Sequence, residues 1–328
     1  MTTPLGILSA AHVHTDSYAR LLSKMDTVEL VGVADTDDER GREFATHHGI
    51  ESLPTDTLLD RVDGVVVCSP NAMHDRWIRA AAEAGVHVLC EKPLATNVET
   101  ATDVVRICEE AGVHLGLAMP LRFCDAAQAA KARLDTGDLG AVRAVSGTNR
   151  GQMPGGWFAD PDLAGGGAVM DHTVHIVDLV YHLTGQRVTE VYAEVDTRFH
   201  EIPVDDVNVL SMELEDGTQF LLDGSWSRPE HWHTWGDATV ELLCADGVLS
   251  VDCFDQSLAH TADDGDEPGR RTQFVGTDPN RGLLEDFATA VAENRPPAIP
   301  GADGAMATAV VAAAYRSAER GEPVAVEY

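Results

Sequence analysis

Asp171, His175 and Asp178 stand at i, i+4 and i+7, and on a helix they share one face. Val169, Ile176, Val180 and Leu183 fall on the opposite side and are apolar. Two carboxylates thus flank an imidazole, and an Asp–His pair can tune the ring for proton transfer near neutral pH. The competing reading is a helix with a solvated acidic face. Three glycines, Gly165-Gly166-Gly167, precede the helix and predict that another group approaches the backbone there. A second candidate is Lys92 in Glu91-Lys92-Pro93. The chain has 23 lysines and arginines, and its only lysines are Lys24, Lys92 and Lys131. Pro93 lacks an N–H and has a fixed φ, so the apolar stretch Val86–Cys90 must end before it. An ammonium at the carboxyl end of a buried strand lies where α/β sheets bind ligands.

A further set of residues points to a nucleotide. Leu5-Gly6-Ile7-Leu8 reads as a first strand, and the turn after it would carry G-x-G-x-x-G in a dinucleotide fold. Here Ser9, Ala11 and His14 occupy the three glycine positions, with Ala10 and His12 between them. Small residues are partly kept, so close approach of a pyrophosphate remains feasible. Asp35 follows the second apolar stretch, where a carboxylate accepts the ribose hydroxyls of NAD. Asp37 and Asp38 follow it, and the first arginine is Arg40, so a 2′-phosphate should be repelled. Ser69-Pro70-Asn71, with His74, ends another apolar stretch, and Asn71 and His74 could line a nicotinamide ribose. These are also ordinary turn residues. His12-x-His14 has the spacing of paired metal ligands, but polar loop residues explain it as well, and no metal is expected.

These groups need strands to carry them. Over the first ~120 residues, Leu5–Leu8, Val28–Ala34, Gly64–Cys68, Val86–Cys90 and His114–Ala118 are short and apolar. They alternate with helical stretches such as Asp37–His48 and Ala72–Ala84, which predicts an α/β doubly wound parallel sheet. Beyond that point a helix (Asp125–Asp135), a strand (Val142–Asn149) and the helix Ala168–Leu183 are expected. Strands at Val188–Thr197, Val207–Glu215, Gln219–Trp226, Thr239–Leu243 and Val248–Asp252 follow, with hairpin turns at Glu215-Asp216-Gly217 and Ala245-Asp246-Gly247. Two helices (Arg281–Glu293, Asp303–Arg320) close the chain. The expected division is residues 1–120 as a dinucleotide-binding domain and 121–328 as an α+β domain on an open, mainly antiparallel sheet. Gln256–Thr277, polar and rich in Asp and Gly, reads as a surface insertion.

Composition excludes several classes. The 328 residues carry a formal net charge of −31, which argues against nucleic acid and anionic membranes as partners. The acids are spread along the chain rather than gathered in a tail. With so little lysine, this predicts adaptation to a salt-rich cytoplasm, where salt screens self-repulsion. No apolar run reaches the ~20 residues that span a bilayer, and no signal peptide is read at the start. The six cysteines form no C-x-x-C pair and read as reduced cytoplasmic thiols.

Taken together, the motifs resemble the glucose–fructose oxidoreductase / inositol dehydrogenase / rhizopine catabolism (Gfo/Idh/MocA) family. The resemblance rests on Ser69-Pro70-Asn71 with His74, on Glu91-Lys92-Pro93-Leu94-Ala95, and on Gly165-Gly166-Gly167 leading to Asp171, His175 and Asp178. Trp157 with Asp160-Pro161, Leu284-Glu285-Asp286-Phe287 before Arg295-Pro296-Pro297, and Ala314-Tyr315-Arg316-Ser317 extend it over essentially the whole chain. It implies a Rossmann domain followed by an α+β domain whose sheet serves oligomerisation, as a homodimer or homotetramer. It implies NAD(P)-dependent hydride transfer at a hydroxyl-bearing carbon of a sugar, inositol or related polyol. On the resemblance Lys92 and His175 are the acid/base pair, Asp171 assists, and Asp178 binds substrate hydroxyls.

The departure from the family is the glycine-poor phosphate loop. In the resulting mechanism His175, steadied by Asp171, takes the hydroxyl proton while Lys92 stabilises the oxyanion. The two could exchange roles. Further pocket candidates are Arg122, Asn149, Arg150, Trp157, His172, His231, His233 and Trp235. The cofactor set is Ser9, Ala10, Ala11, His12, Asp35, Ser69, Pro70, Asn71, His74, Glu91 and Lys92. Two alternatives stand beside this reading: a non-catalytic NAD- or sugar-binding sensor of the same fold, and a metal-dependent hydrolase using His12 and His14.

Overall fold

Short apolar runs bounded by turn residues build the first layer. In the computed structural model, which describes residues 2–255, 257–262, 269–274 and 276–328, the chain opens with β1 (Thr3–Leu8), α1 (Thr15–Leu22), β2 (Val28–Ala34), α2 (Asp38–His48) and β3 (Glu51–Ser52). It continues with α3 (Thr55–Leu59), β4 (Gly64–Val67), α4 (His74–Glu83), β5 (His87–Cys90), α5 (Val98–Ala111) and β6 (Leu115–Leu117). The strands form one six-stranded sheet in the order β3-β2-β1-β4-β5-β6, parallel throughout. Every residue of β4, Gly-Val-Val-Val, is buried, because helices cover both faces. Burial of each such valine is worth about 1.5–3 kcal/mol.

Helix ends are set by local chemistry. The Asp37 carboxylate accepts from the N–H groups of Glu39 and Arg40 at 3.0 and 3.1 Å, and Asn97 caps α5 through Thr100 N–H at 2.8 Å. Both are side-chain N-caps. α2 and α5 stop at Gly49 and Gly112, each left-handed, as helix C-termini favour.

The remainder comprises α6 (Asp125–Asp135), β7 (Val142–Thr148), α7 (Pro161–Ala164), α8 (Ala168–Thr184), β8 (Val188–Asp196), β9 (Val207–Leu214), β10 (Gln219–Asp223), β11 (Thr239–Cys244) and β12 (Gly247–Asp252). After these come β13 (Ser257–Ala262), β14 (Gly269–Phe274), α9 (Pro279–Glu293), α10 (Gly301–Arg320) and β15 (Val324–Ala325). A seven-stranded sheet runs β12-β11-β7-β10-β9-β8-β15. Its only parallel pair is β7 with β10, so it is mainly antiparallel, and β13 pairs with β14 apart from it. The segment expected as a surface insertion thus contains a pair of antiparallel strands. Gln256, residues 263–268 and Val275 lie outside the described residues.

α8 packs on the seven-stranded sheet at Gly147, where a Cβ would come within 2.7 Å of Ile176. The last third of the chain returns to the first sheet: Leu117 N–H donates to Ile299 O at 3.0 Å, and Pro297 lies against Gly116. One continuous apolar core accordingly runs from Leu5 to Val324. Among the described residues no helix is long and apolar enough to cross a membrane.

Candidate active site

In the order β3-β2-β1-β4-β5-β6, successive crossovers leave in opposite directions from β1 and β4, and the carboxyl ends of these strands form a crevice. The loop after β1 crosses it, with His12 N–H donating to Cys68 O at 2.9 Å. Ser9, in the first glycine position, has φ 70°. The loop thus keeps the left-handed turn that glycine would take, with serine bearing a strain of about 1–2 kcal/mol. α1 begins at Thr15 with no side-chain cap, leaving its N-terminal dipole open toward the crevice.

Asp35 ends β2 and is tied to this loop. Its carboxylate accepts from Ala10 N–H at 2.7 Å and from the Ser9 hydroxyl at 3.3 Å. Arg40 also closes a bidentate ion pair on it at 2.9 and 2.5 Å, so the acid is not left bare as the sequence suggested. Burial alone would raise the Asp35 pKa, but Arg40 and the backbone donors hold it below the ordinary value.

Ser69 is buried and its hydroxyl turns to Pro70 O at 3.2 Å. Asn71 Nδ2 donates to Ala164 O at 2.8 Å, while its buried Oδ1 has no protein partner. His74 differs from expectation. It is fully buried, and its two ring nitrogens face Pro93 O at 2.8 Å and Ser69 O at 3.1 Å. It clips the turn after β4 to the turn after β5 instead of facing a ribose.

Beyond β5, the Lys92–Pro93 peptide bond is cis. Glu91 is buried and turns back into the loop after β1, reaching His14 Nδ1 at 2.9 Å and His12 Nδ1 at 3.4 Å. Burial would raise the Glu91 pKa, but the two histidines and Lys92 hold it well below the usual carboxylate range. Burial pushes His12 down to about 3, so its ring is neutral. These three side chains lie close enough for one ion. However, His12 Nδ1 already accepts the His14 N–H at 3.3 Å, and His172 Nδ1 is bound to Gly224 O at 2.9 Å. Among the described residues the cluster around His12 and His14 therefore recruits neither His172 nor His175.

A cavity of about 410 Å³ opens above this crevice. The first domain lines it with His12, Val13, His14 and Lys92, and α8 lines it with Asp171, His172 and His175. Lys92 Nζ pairs with Asp171 Oδ1, both side chains being buried. Asp171 Oδ2 accepts from Trp226 Nε1 at 3.1 Å and lies 3.2 Å from His172 Nε2. Against burial, Lys92 and His172 hold Asp171 ionised, well below the ordinary carboxylate value. Asp171 thus serves Lys92 and His172, and no hydrogen bond joins it to His175. Burial and then Lys92 push the His175 pKa well below the ordinary imidazole value. Its Nδ1 is buried with no protein partner, leaving a neutral imidazole with an unused polar atom beside the Lys92 ammonium.

Other expected residues divide. Asn149 and Trp235 line the cavity, and Asn149 Oδ1 is buried without a partner. Trp157 donates its indole N–H to Ala11 O at 3.0 Å and stacks on Phe158 at 3.9 Å, so it braces the phosphate loop from the second domain. Arg150 is turned to Asp237 at 2.8 Å. His231 and His233 are exposed. Arg122 and Asp178 do not face the cavity. Arg122 bonds Asp178 at 2.9 and 2.6 Å and Asp303 at 2.6 Å, forming a half-buried triad that fastens α8 to α10. The glycines before α8 are approached by the protein itself. A Cβ on Gly166 would sit 2.2 Å from the Tyr315 hydroxyl, and one on Gly167 1.9 Å from Asp205 O.

Trp226 was not anticipated. It lies 55 positions from Asp171, and no local spacing marks it. Phe158 and Phe254, which add apolar walls, are equally silent in sequence.

Two family models match the chain. An oxidoreductase family with an NAD-binding Rossmann fold covers residues 6–119, and a GFO/IDH/MocA C-terminal domain covers residues 127–250. Among similar proteins, D-xylose 1-dehydrogenase (NADP(+)) 2 of Haloferax volcanii is 31% identical over 98% of this chain and 99% of its own length. Myo-inositol 2-dehydrogenase of Thermotoga maritima is 26% identical over 98% of each. Among solved structures, GenD2 from gentamicin A biosynthesis in complex with NAD superposes with a TM-score of 0.89 at 26% identity, covering 100% of this chain and 97% of that one.

Proposed function

Because the chain belongs to the Gfo/Idh/MocA family of oxidoreductases, we propose that it is a nicotinamide-dependent dehydrogenase acting on a hydroxyl-bearing carbon of a sugar, inositol or related polyol. The observation that carries this reading is one cavity to which the first domain brings Lys92 and the second brings Asp171 and His175.

The residues fit a dinucleotide. The left-handed turn at Ser9, the uncapped start of α1 and the orphaned Oδ1 of Asn71 provide a phosphate turn, a dipole and an acceptor along one crevice. Ser9, Ala10, Ala11 and His12 would hold the pyrophosphate, Asp35 the adenosine ribose, and Ser69, Pro70, Asn71, Glu91 and Lys92 the nicotinamide end. Bound nicotinamide supplies the hydride acceptor or donor. His175, its ring held neutral and lining the cavity, takes the hydroxyl proton of the substrate in the oxidative direction. The Lys92 ammonium, pinned by Asp171, stabilises the oxygen as negative charge develops on it. Trp226 and His172 keep Asp171 in place for that task. Asn149, whose Oδ1 has no protein partner, offers a polar point in the cavity suited to a hydroxyl-rich ligand.

NAD is the preferred cofactor in this proposal. Asp35 and Asp37 face a single cation, Arg40, and Asp38 follows them in sequence, so a 2′-phosphate would meet net negative charge. The outer face of the seven-stranded sheet exposes Val209, Leu221, Leu243 and Val248, which supports a homodimer or homotetramer formed through it. Light scattering that finds only monomer would remove that part. The acidic, lysine-poor composition supports a salt-rich cytoplasm as the place of work. A sugar and polyol screen in molar salt, following reduced nicotinamide, tests the main reading.

A further inference from the structure

Cys124 and Cys253 are 129 positions apart, yet their sulfurs share a buried hydrogen bond at 2.8 Å. Among the six cysteines no other two are hydrogen-bonded to each other. Each sits at the hinge of a cavity wall. Cys124 follows the turn Pro120–Phe123, whose Pro120 and Leu121 line the cavity, and Cys253 precedes Phe254, which lines it from the other side. Cys124 is also the N-cap of the 11-residue helix α6, where Ala127 N–H donates to its Sγ at 3.3 Å. A helix N-terminus favours thiolate over thiol. The contact with Cys253 and the backbone donors lower the Cys124 pKa against burial, while the same contact and burial raise that of Cys253. The pair thus places one sulfur suited to attack within direct reach of a second.

We propose that Cys124 and Cys253 form a reversible disulfide that ties the two cavity walls together, with a small hydroperoxide as oxidant. The Cys124 thiolate attacks the peroxide oxygen. An S–O bond forms, the O–O bond breaks, and the departing hydroxide is protonated to water. The Cys253 sulfur then attacks the Cys124 sulfenic acid. The S–S bond forms, the S–O bond breaks, and the Cys253 proton leaves with the hydroxide as a second water. Two thiols and one hydrogen peroxide give one disulfide and two waters. Cys68, Cys90, Cys108 and Cys244 have no hydrogen-bonded sulfur partner and are not expected to form a disulfide.

The test is oxidation of the folded full-length protein with hydrogen peroxide, followed by thiol counting and peptide mapping under denaturing conditions. The expected result is a fall from six free thiols to four, a linked Cys124–Cys253 peptide, and recovery of six with a dithiol reductant. The thermal midpoint of the oxidised form should rise by at least about 3 °C, since the link closes a long loop of the unfolded chain. In Cys253→Ser, which lacks the resolving sulfur, dimedone should trap a sulfenic acid at Cys124. Six thiols after treatment, or oxidation that maps elsewhere, would overturn the proposal. The wild-type map decides the matter even if the variant does not fold.

Discussion

Lys92, at the end of a strand in the first domain, and Asp171, on the first turn of a helix in the second, form a buried ion pair across the crevice between the domains. Their union fixes the distance between the cofactor side and the substrate side of the site. Because it is buried, removal of one partner leaves the other charge poorly compensated.

Lys92→Met should therefore lower stability by about 3 kcal/mol, the lower end for a broken buried pair, since Trp226 and His172 still serve Asp171. Asp171→Asn should cost less. In denaturant melts, the double variant should be more stable than the sum of the singles predicts by at least about 1 kcal/mol. Strict additivity would show that the pair contributes no coupling.

The oxidative rate should hold at acidic pH. Burial and Lys92 keep the His175 pKa below 6.5, so the ring remains neutral, and able to accept a proton, as pH falls through the ordinary imidazole range. The acid limb of kcat/KM should lie below that range. A limb centred near pH 6.5 or above would mean that another group, or a charged His175, controls the rate.

Asp178 should behave as a structural acid. Burial raises its pKa to about 6, with Arg122 opposing and Asp303 adding to the rise. The folded protein then holds a proton that the unfolded chain has released between the ordinary value of 3.8 and about 6. The Asp178 contribution to stability accordingly falls as pH rises through that window and is level above it. Asp178→Asn should remove this slope relative to wild type and leave KM for substrate nearly unchanged. A large rise in KM would return Asp178 to the substrate site.

Calorimetric titration should show tighter binding of NAD than of NADP. Arg40→Ala should weaken whatever NADP binding there is, because it removes the cation facing Asp35. Tighter NADP binding in wild type would mean that Arg40 leaves Asp35 for the 2′-phosphate.

With a formal charge of −31, the thermal midpoint should rise between dilute buffer and molar KCl as repulsion is screened. A midpoint that does not move would separate the acidic surface from any role in salt.

Both sheets were legible in sequence because their strands are short, apolar and punctuated: the valines of β4 and the proline after Lys92 each carry a local signal. The helical face of Asp171 and His175 was legible from spacing alone. What each side chain does on that face was not. Asp178 shares the face, yet it turns to Arg122, 56 positions away, and to Asp303. Asp171 turns to Lys92 and Trp226 rather than to His175. Partner choice among buried polar groups depends on contacts distant in sequence, and composition does not encode them. The triple glycine was read correctly as a point of close approach, but the approaching atoms belong to Asp205 and Tyr315. The phosphate loop was harder to read, because serine here adopts a turn that glycine would have advertised.

The most direct test is a sugar and polyol screen with NAD in molar salt, run on wild type and His175→Ala together with a titration of NAD against each. The account predicts that wild type reduces NAD with at least one polyol. It also predicts that His175→Ala loses at least ~10²-fold in rate while binding NAD with affinity close to wild type. A His175→Ala variant that turns the same polyol over at near wild-type rate would contradict the assignment of the proton acceptor. Firm NAD binding with no polyol oxidised would contradict the reading as a dehydrogenase.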